Sequence, residues 1–150
     1  MPGVPEIRSA VTRDLDVVTL HQLLRLRVDV FVVEQECVYP ELDGRDLEPG
    51  TRHWWIEGDT ETGSVPTIAC AIRTLVDPGA TRIGRVVTAP AARGRRLAAD
   101  LTRHITSTLP GPFVLDAQSH LQGWYEALGF ALNGDPFVED GIPHVPMRRN

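Results

Sequence analysis

Two apolar, β-branched runs, residues 67–76 and 81–88, are separated only by Asp77-Pro78-Gly79-Ala80. Asp-Pro-Gly is a strong turn signal, and Pro66 stands at a strand start, where proline is tolerated. A long antiparallel hairpin in the middle of the chain therefore fixes the fold around a sheet. The flanks decide what covers it. Leu20, Leu23, Leu24, Val28 and Phe31 recur at helical spacing, so a helix is expected over residues 15–33. Thr12 or Asp14 can cap it, and Tyr39-Pro40 ends it at the latest. Leu97, Leu101 and Ile105 share a face of a second helix over residues 93–108, stopped by Pro110-Gly111-Pro112. Leu121, Tyr125 and Leu128 mark a third, closed by Gly129 in the position glycine favours. Strands are expected at residues 6–11, 53–57, 113–117, 130–132 and 143–148. The order β-α-β-β-β-α-β-α-β-β is a mixed α/β fold. At 150 residues it is expected to be one domain spanning residues 1–150.

Composition removes several chemistries. All fifteen basic residues are arginine, so a Walker-type phosphate loop, a Schiff-base lysine and a Ser-Lys dyad are excluded. No apolar run approaches the length of a membrane span. The first residues lack the basic-then-apolar pattern of a secretory signal, and two cysteines are too few for a disulfide framework. The expected location is the cytoplasm. The five histidines show no ligand spacing, so no metal is expected. Cys37 follows Glu34 and Glu36, which would raise its pKa and make it a poor nucleophile.

Charge is distributed in two clusters. Residues 34–50 hold six carboxylates against a single arginine, Arg45. The segment reads either as a solvated loop or as a pocket rim that attracts cations. The second cluster is Arg93-Gly94-Arg95-Arg96, placed where a strand gives way to the second helix. A helix start carries free N–H groups and partial positive charge, so arginines there are in electrostatic conflict unless an anion docks. The alternatives are a solvated basic turn and an anion site. A net charge of −5 argues against nucleic acid as a partner.

The run Arg93-Gly94-Arg95-Arg96-Leu97-Ala98, after Thr88-Ala89-Pro90, resembles the phosphate-binding motif of GNAT N-acetyltransferases. Tyr125-Glu126-Ala127-Leu128-Gly129-Phe130 resembles their Y-x-x-x-G-F signature. The resemblance is nearest to the ElaA-like branch and covers almost the whole chain. It rests on Leu26-Arg27, Val30-Phe31-Val32-Val33-Glu34-Gln35, Asp43-Gly44, Asp46-Leu47, Arg52-His53, Ile83-Gly84-Arg85-Val86, Ala117-Gln118, His120-Leu121-Gln122 and Glu139-Asp140-Gly141-Ile142-Pro143-His144.

The resemblance implies a GNAT fold, with a mostly antiparallel twisted sheet, one splayed strand pair and flanking helices. It implies acetyl-CoA as donor, with no metal, and a small-molecule or peptide amine as acceptor. No membrane partner is implied. The diphosphate would lie on the backbone of Arg93, Gly94, Arg95, Arg96, Leu97 and Ala98. The pantetheine arm would pair with Val86, Val87 and Thr88, an N–H near Val87 polarising the acetyl carbonyl, and Gln118 would touch the cofactor. Arg96 replaces the usual motif glycine, which is sterically possible if its backbone is right-handed. Tyr125 would be the general acid, although it also fits an apolar core stripe. Glu34 is the first choice of general base. Asp43, Asp140 and His144 are further candidates and would face the substrate. The acidic segment would favour a cationic amine. A non-catalytic acyl-CoA-binding module of the same fold is the alternative. Trp54, Trp55 and Trp124 would fill either the core or an interface, and a homodimer stays open.

Overall fold

The computed structural model describes residues 5–59 and 64–150. Within them one sheet runs β1 (Arg8–Val11), β2 (Arg52–Glu57), β3 (Ile68–Asp77), β4 (Ala80–Thr88), β5 (Phe113–Gln118), β8 (Ile142–Arg149) and β6 (Ala131–Leu132), with β7 (Phe137–Glu139) also paired to β8. All pairs are antiparallel except β4–β5, which is parallel. The expected hairpin is β3–β4, with Asp77 opposite Ala80.

Two helices cover opposite faces. Neighbouring β2 residues point to opposite sides of a sheet, and Trp54 and Trp55 each anchor a different core. Trp54 packs with Ile72, Ile83 and the apolar face of α2 (Leu97–Thr108), where Leu101 and Ile105 are fully buried. Trp55 packs with Ala71, Val87 and Leu23 of α1 (Val17–Val28). Both tryptophans are therefore core, whereas Trp124 is half-exposed.

Three expectations are corrected, and one strand is added. The first helix starts later, because the Asp16 carboxylate accepts the Thr19 N–H at 2.7 Å, while Thr12–Asp14 form a separate 3-10 turn. It stops being α-helical at Val28 and continues as a π-turn, Asp29–Glu34, so the apolar periodicity ran through a change of helix type. The second helix begins at Leu97 rather than Arg93, because Gly94 (φ +83°) and Arg96 (φ +59°) are left-handed and cannot continue a right-handed helix. Finally, β7 has no interior apolar alternation to announce it, being a short exposed strand. The third helix, α3 (Gln122–Glu126), is short and is followed by Gly129 at φ +94°.

Candidate active site

The site is made by a failure of pairing. β4 meets β5 only at Thr81–Phe113 and Arg82–Val114. From Ile83 onward the two strands have no register partner in each other. The cause lies on the other edge of β4. Ala71 pairs with Val87 and Arg73 with Gly84, so Arg85 and Val86 together oppose Ile72 alone. That is a β-bulge, which bends a strand and increases its local twist. Arg85 carries the left-handed backbone of the bulge, at φ +50°.

Beyond the bulge the free edge is fixed in phase. Ala89 N–H donates to Ala69 O at 2.8 Å. By ladder alternation the Val87 amide then turns toward β3 and the Thr88 amide and carbonyl toward the gap. The Val87 amide is thus turned away from the gap, and that of Thr88 faces it. Arg93 Nε donates to the Thr88 carbonyl at 3.3 Å.

At the end of this edge stands the arginine turn. The first α2 bond runs from Asp100 N–H to Arg96 O (3.0 Å), so the amides of Leu97, Ala98 and Ala99 lie ahead of it in the first turn. Arg93 is paired with Glu34 at 2.9 Å. Arg95 and Arg96 have no ion pair among the described residues. The assumed right-handed backbone at Arg96 is corrected: it is left-handed, which costs a side-chain-bearing residue about 1–2 kcal/mol.

The gap opens into a cavity of about 480 Å³. Six of the expected site residues line it: Asp43, Val86, Gln118, Tyr125, Asp140 and His144. Tyr125 is buried between Trp124 (4.8 Å, edge-on) and Phe130 (5.9 Å). Its hydroxyl has no hydrogen-bond partner among the described residues. Burial pushes its pKa up to about 12, so it is a phenol at neutral pH and suited to giving a proton rather than taking one. His144 stacks on Phe137 (5.6 Å), and its Nδ1 lies 2.7 Å from the Ile142 carbonyl. A carbonyl only accepts, so Nδ1 carries the hydrogen and Nε2 of the neutral ring is an acceptor. Gln118 Nε2 reaches Gln35 Oε1 at 3.5 Å. Glu34 is outside the wall, drawn to Arg93. Among the described residues no group of three His, Cys, Asp or Glu side chains could hold a metal ion.

A family model for the acetyltransferase (GNAT) domain matches residues 31–150. The chain belongs to the GNAT acetyltransferase family. A UPF0039 protein of Mycobacterium tuberculosis is 44% identical over 95% of this chain and 92% of its own length. The solved structure of Escherichia coli ElaA has a TM-score of 0.85 at 35% identity, covering 97% of this chain and 99% of that one. An acyl-CoA N-acyltransferase from Pseudomonas aeruginosa has a TM-score of 0.87 at 36% identity, covering 98% of this chain and 100% of that one. The ElaA-like resemblance and the mixed α/β GNAT fold thus hold. Membership makes this an acyl-CoA-dependent acyltransferase in the broad sense.

Within this GNAT site the charge of the acidic segment is largely met by arginines, while Glu34, Glu36, Asp43 and Glu48 stay exposed and Asp43 lines the cavity. Glu34, Glu41, Asp43 and Asp46 face arginines from elsewhere in the chain, Glu48 pairs with Arg45 inside the segment, and exposed Glu36 has no ion pair among the described residues. Arg27 binds Glu41 (2.6 Å) and Asp46 (2.7 Å), all three buried. Arg73 binds Asp43 (2.9 Å) and Asp46 (3.3 Å), and Arg85 binds Glu41 (2.8 Å) and Asp43 (3.3 Å). Arg45 holds Glu48 and Asp77, both at 3.0 Å. Burial alone would raise the Asp43 pKa, but Arg73, the Arg45 N–H and Arg85 outweigh it and hold it down to about 2. The GNAT cavity keeps two carboxylates without an ion pair among the described residues, Glu139 and Asp140. Reading the segment by its net charge missed this pairing, because the partners are far apart in sequence. The one signal available was the number of arginines, Arg27, Arg73 and Arg85, set inside otherwise apolar elements.

Proposed function

We propose that this protein moves an acetyl group from acetyl-CoA directly to a primary amine, with donor and acceptor bound together. The observation that carries the reading is the fork between β4 and β5, which leads from the arginine turn to a cavity holding a buried tyrosine. The residues present suit the donor. The first-turn amides of α2 with Arg95 and Arg96 would hold a diphosphate. Val86 and Thr88 would offer backbone groups to an amide-bearing arm, with Gln118 across the gap. Bound acetyl-CoA supplies the reactive thioester. The chain then has two protons to manage. Tyr125 Oη gives one to the departing thiolate, and its elevated pKa keeps that proton in place until then.

The other proton leaves the amine. His144 Nε2 suits that role better than Glu34, since its partner-fixed tautomer leaves a lone pair on the cavity side chain. Asp43 is committed to Arg73 and Arg85. A cationic acceptor, a small amine or a peptide or protein amine, remains the favoured class. The support is now Glu139 and Asp140 rather than the loop. The cytoplasm, where acyl-CoA is plentiful, is the compartment this reading expects.

The test is thiol release from acetyl-CoA across a panel of amines. Polyamine-like and lysine-like amines should show higher kcat/KM than acidic amino acids. Tyr125→Phe should fold and lose about 10²–10⁴-fold in kcat. CoA binding without thiol release from any amine would make the protein a binding module instead. Unchanged turnover in Tyr125→Phe would remove the tyrosine from the chemistry.

A further inference from the structure

Four of the segments that carry the ElaA-like resemblance, those containing Arg27, Asp43, Asp46 and Arg85, converge in the ion-pair network, although none of these four residues is needed as acid or base. Their meeting point is the bulge. Arg73 of β3 pairs in register with Gly84 of β4, immediately before the extra residue. Arg85 is that extra residue's left-handed position. Asp43 bridges the two: its Oδ1 accepts from Arg73 Nη1 at 2.9 Å and its Oδ2 from Arg73 Nη2 at 3.0 Å and Arg85 Nη2 at 3.3 Å. Arg85 is also gripped by Glu41, through Nε to the carboxylate at 2.8 Å and Nη2 to the backbone carbonyl at 3.1 Å. Tyr39 lies under its guanidinium at 5.7 Å and donates its hydroxyl to Glu41 at 3.0 Å. Glu41 cannot drift, since buried Arg27 holds it from behind through Nε at 3.0 Å and Nη2 at 2.6 Å.

A left-handed arginine in a strand has no local reason to stay there. Strain of this kind persists only where surroundings over-determine it. We propose that Arg85 is a positioning residue. Its guanidinium, clamped by Glu41 and Asp43, holds the bulge left-handed and so keeps the β4 edge, Val86–Thr88, turned away from β5 at the width the acyl-CoA arm requires. The acidic segment is the clamp, and its function is to set that gap. This rests on the acyl-CoA reading above, but it is a statement about the unliganded strand as well.

Two variants separate backbone from charge. Arg85→Gly removes the clamp but leaves a residue that accepts a positive φ freely. Arg85→Ala removes the clamp and penalises the same conformation. Calorimetry with CoA should order the affinities wild type, then Gly, then Ala, with Ala weaker by about tenfold and Gly within about threefold of wild type. Backbone amide and Cα shifts of Gly84 and residues 86–88, recorded without ligand, should be retained in Gly and displaced in Ala. Asp43→Asn should displace them partially. Ala matching wild type in shifts overturns the proposal, whether or not CoA binds. Equal weakening of CoA binding in Gly and Ala, with shifts intact in both, also overturns it and makes Arg85 a direct charge contact. If wild type itself binds no CoA, the acetyltransfer reading fails, and the shifts still decide the role of Arg85.

Discussion

The acidic segment and the arginine turn carry comparable densities of charge, and the fold treats them in opposite ways. In residues 41–48 each carboxylate has an arginine partner, and the Arg27–Glu41–Asp46 centre is buried. In residues 93–96 only Arg93 is paired, while Arg95 and Arg96 make no ion pair among the described residues, although Arg95 lines a surface cavity with Glu6, Glu57, Asp59 and Asp100. One cluster is closed on itself and serves geometry. The other is open and can serve a ligand. A run of like charge in a sequence therefore says little by itself. What matters is whether the rest of the chain supplies its complement, and here the complement of the acids is spread over α1, β3 and β4.

That contrast can be broken most severely from the closed side. Glu41→Ala leaves buried Arg27 with Asp46 as its one remaining acidic partner, and removing one partner of a buried pair costs up to about 3–5 kcal/mol. Urea denaturation should show that loss. A change below about 0.5 kcal/mol would mean the segment is not a structural clamp.

The closed side also has a pH signature, through His53 next to Asp46. Burial pushes His53 down to about 4 from its ordinary 6.5, against the pull of Asp46. A depressed pKa means the unfolded chain takes the proton first. Stability should therefore be full above pH 6.5 and fall as pH drops toward 4, by about 3 kcal/mol. Denaturation midpoints across that window should reveal it, and His53→Gln should flatten the curve.

The open side predicts the reverse pattern. Arg95→Ala with Arg96→Ala should leave stability within about 0.5 kcal/mol and weaken CoA by about tenfold or more. The smallest expected effect is Arg96→Gly, which relieves the left-handed strain and should raise stability by about 1 kcal/mol. Thermal unfolding would detect it, and a lower Tm would show that Arg96 has a partner holding it.

The elements were legible because they follow local rules. The β3–β4 turn is written in Asp77-Pro78-Gly79, and the α2 face in Leu97, Leu101 and Ile105. The arginine turn and Tyr125 were legible from motif resemblance. What escaped was nonlocal. Nothing around Arg85 announces a positive φ, since its anchor, Glu41, is forty-four residues away. The start of α2 was misplaced for a related reason: arginines are good helix formers, and only the left-handed Gly94 and Arg96 show that the chain is still turning. The pairing of Glu34 with Arg93, fifty-nine residues away, is nonlocal in the same way.

The account depends on the arginine turn holding a diphosphate while the fork admits the arm. A high-resolution crystal structure of the protein saturated with CoA tests this most directly. Diphosphate oxygens should sit within hydrogen-bond distance of the amides at residues 97–99, with the arm along Val86–Thr88 and its sulfur facing Tyr125. A diphosphate bound elsewhere, or a fork closed by pairing of β4 with β5, would contradict it.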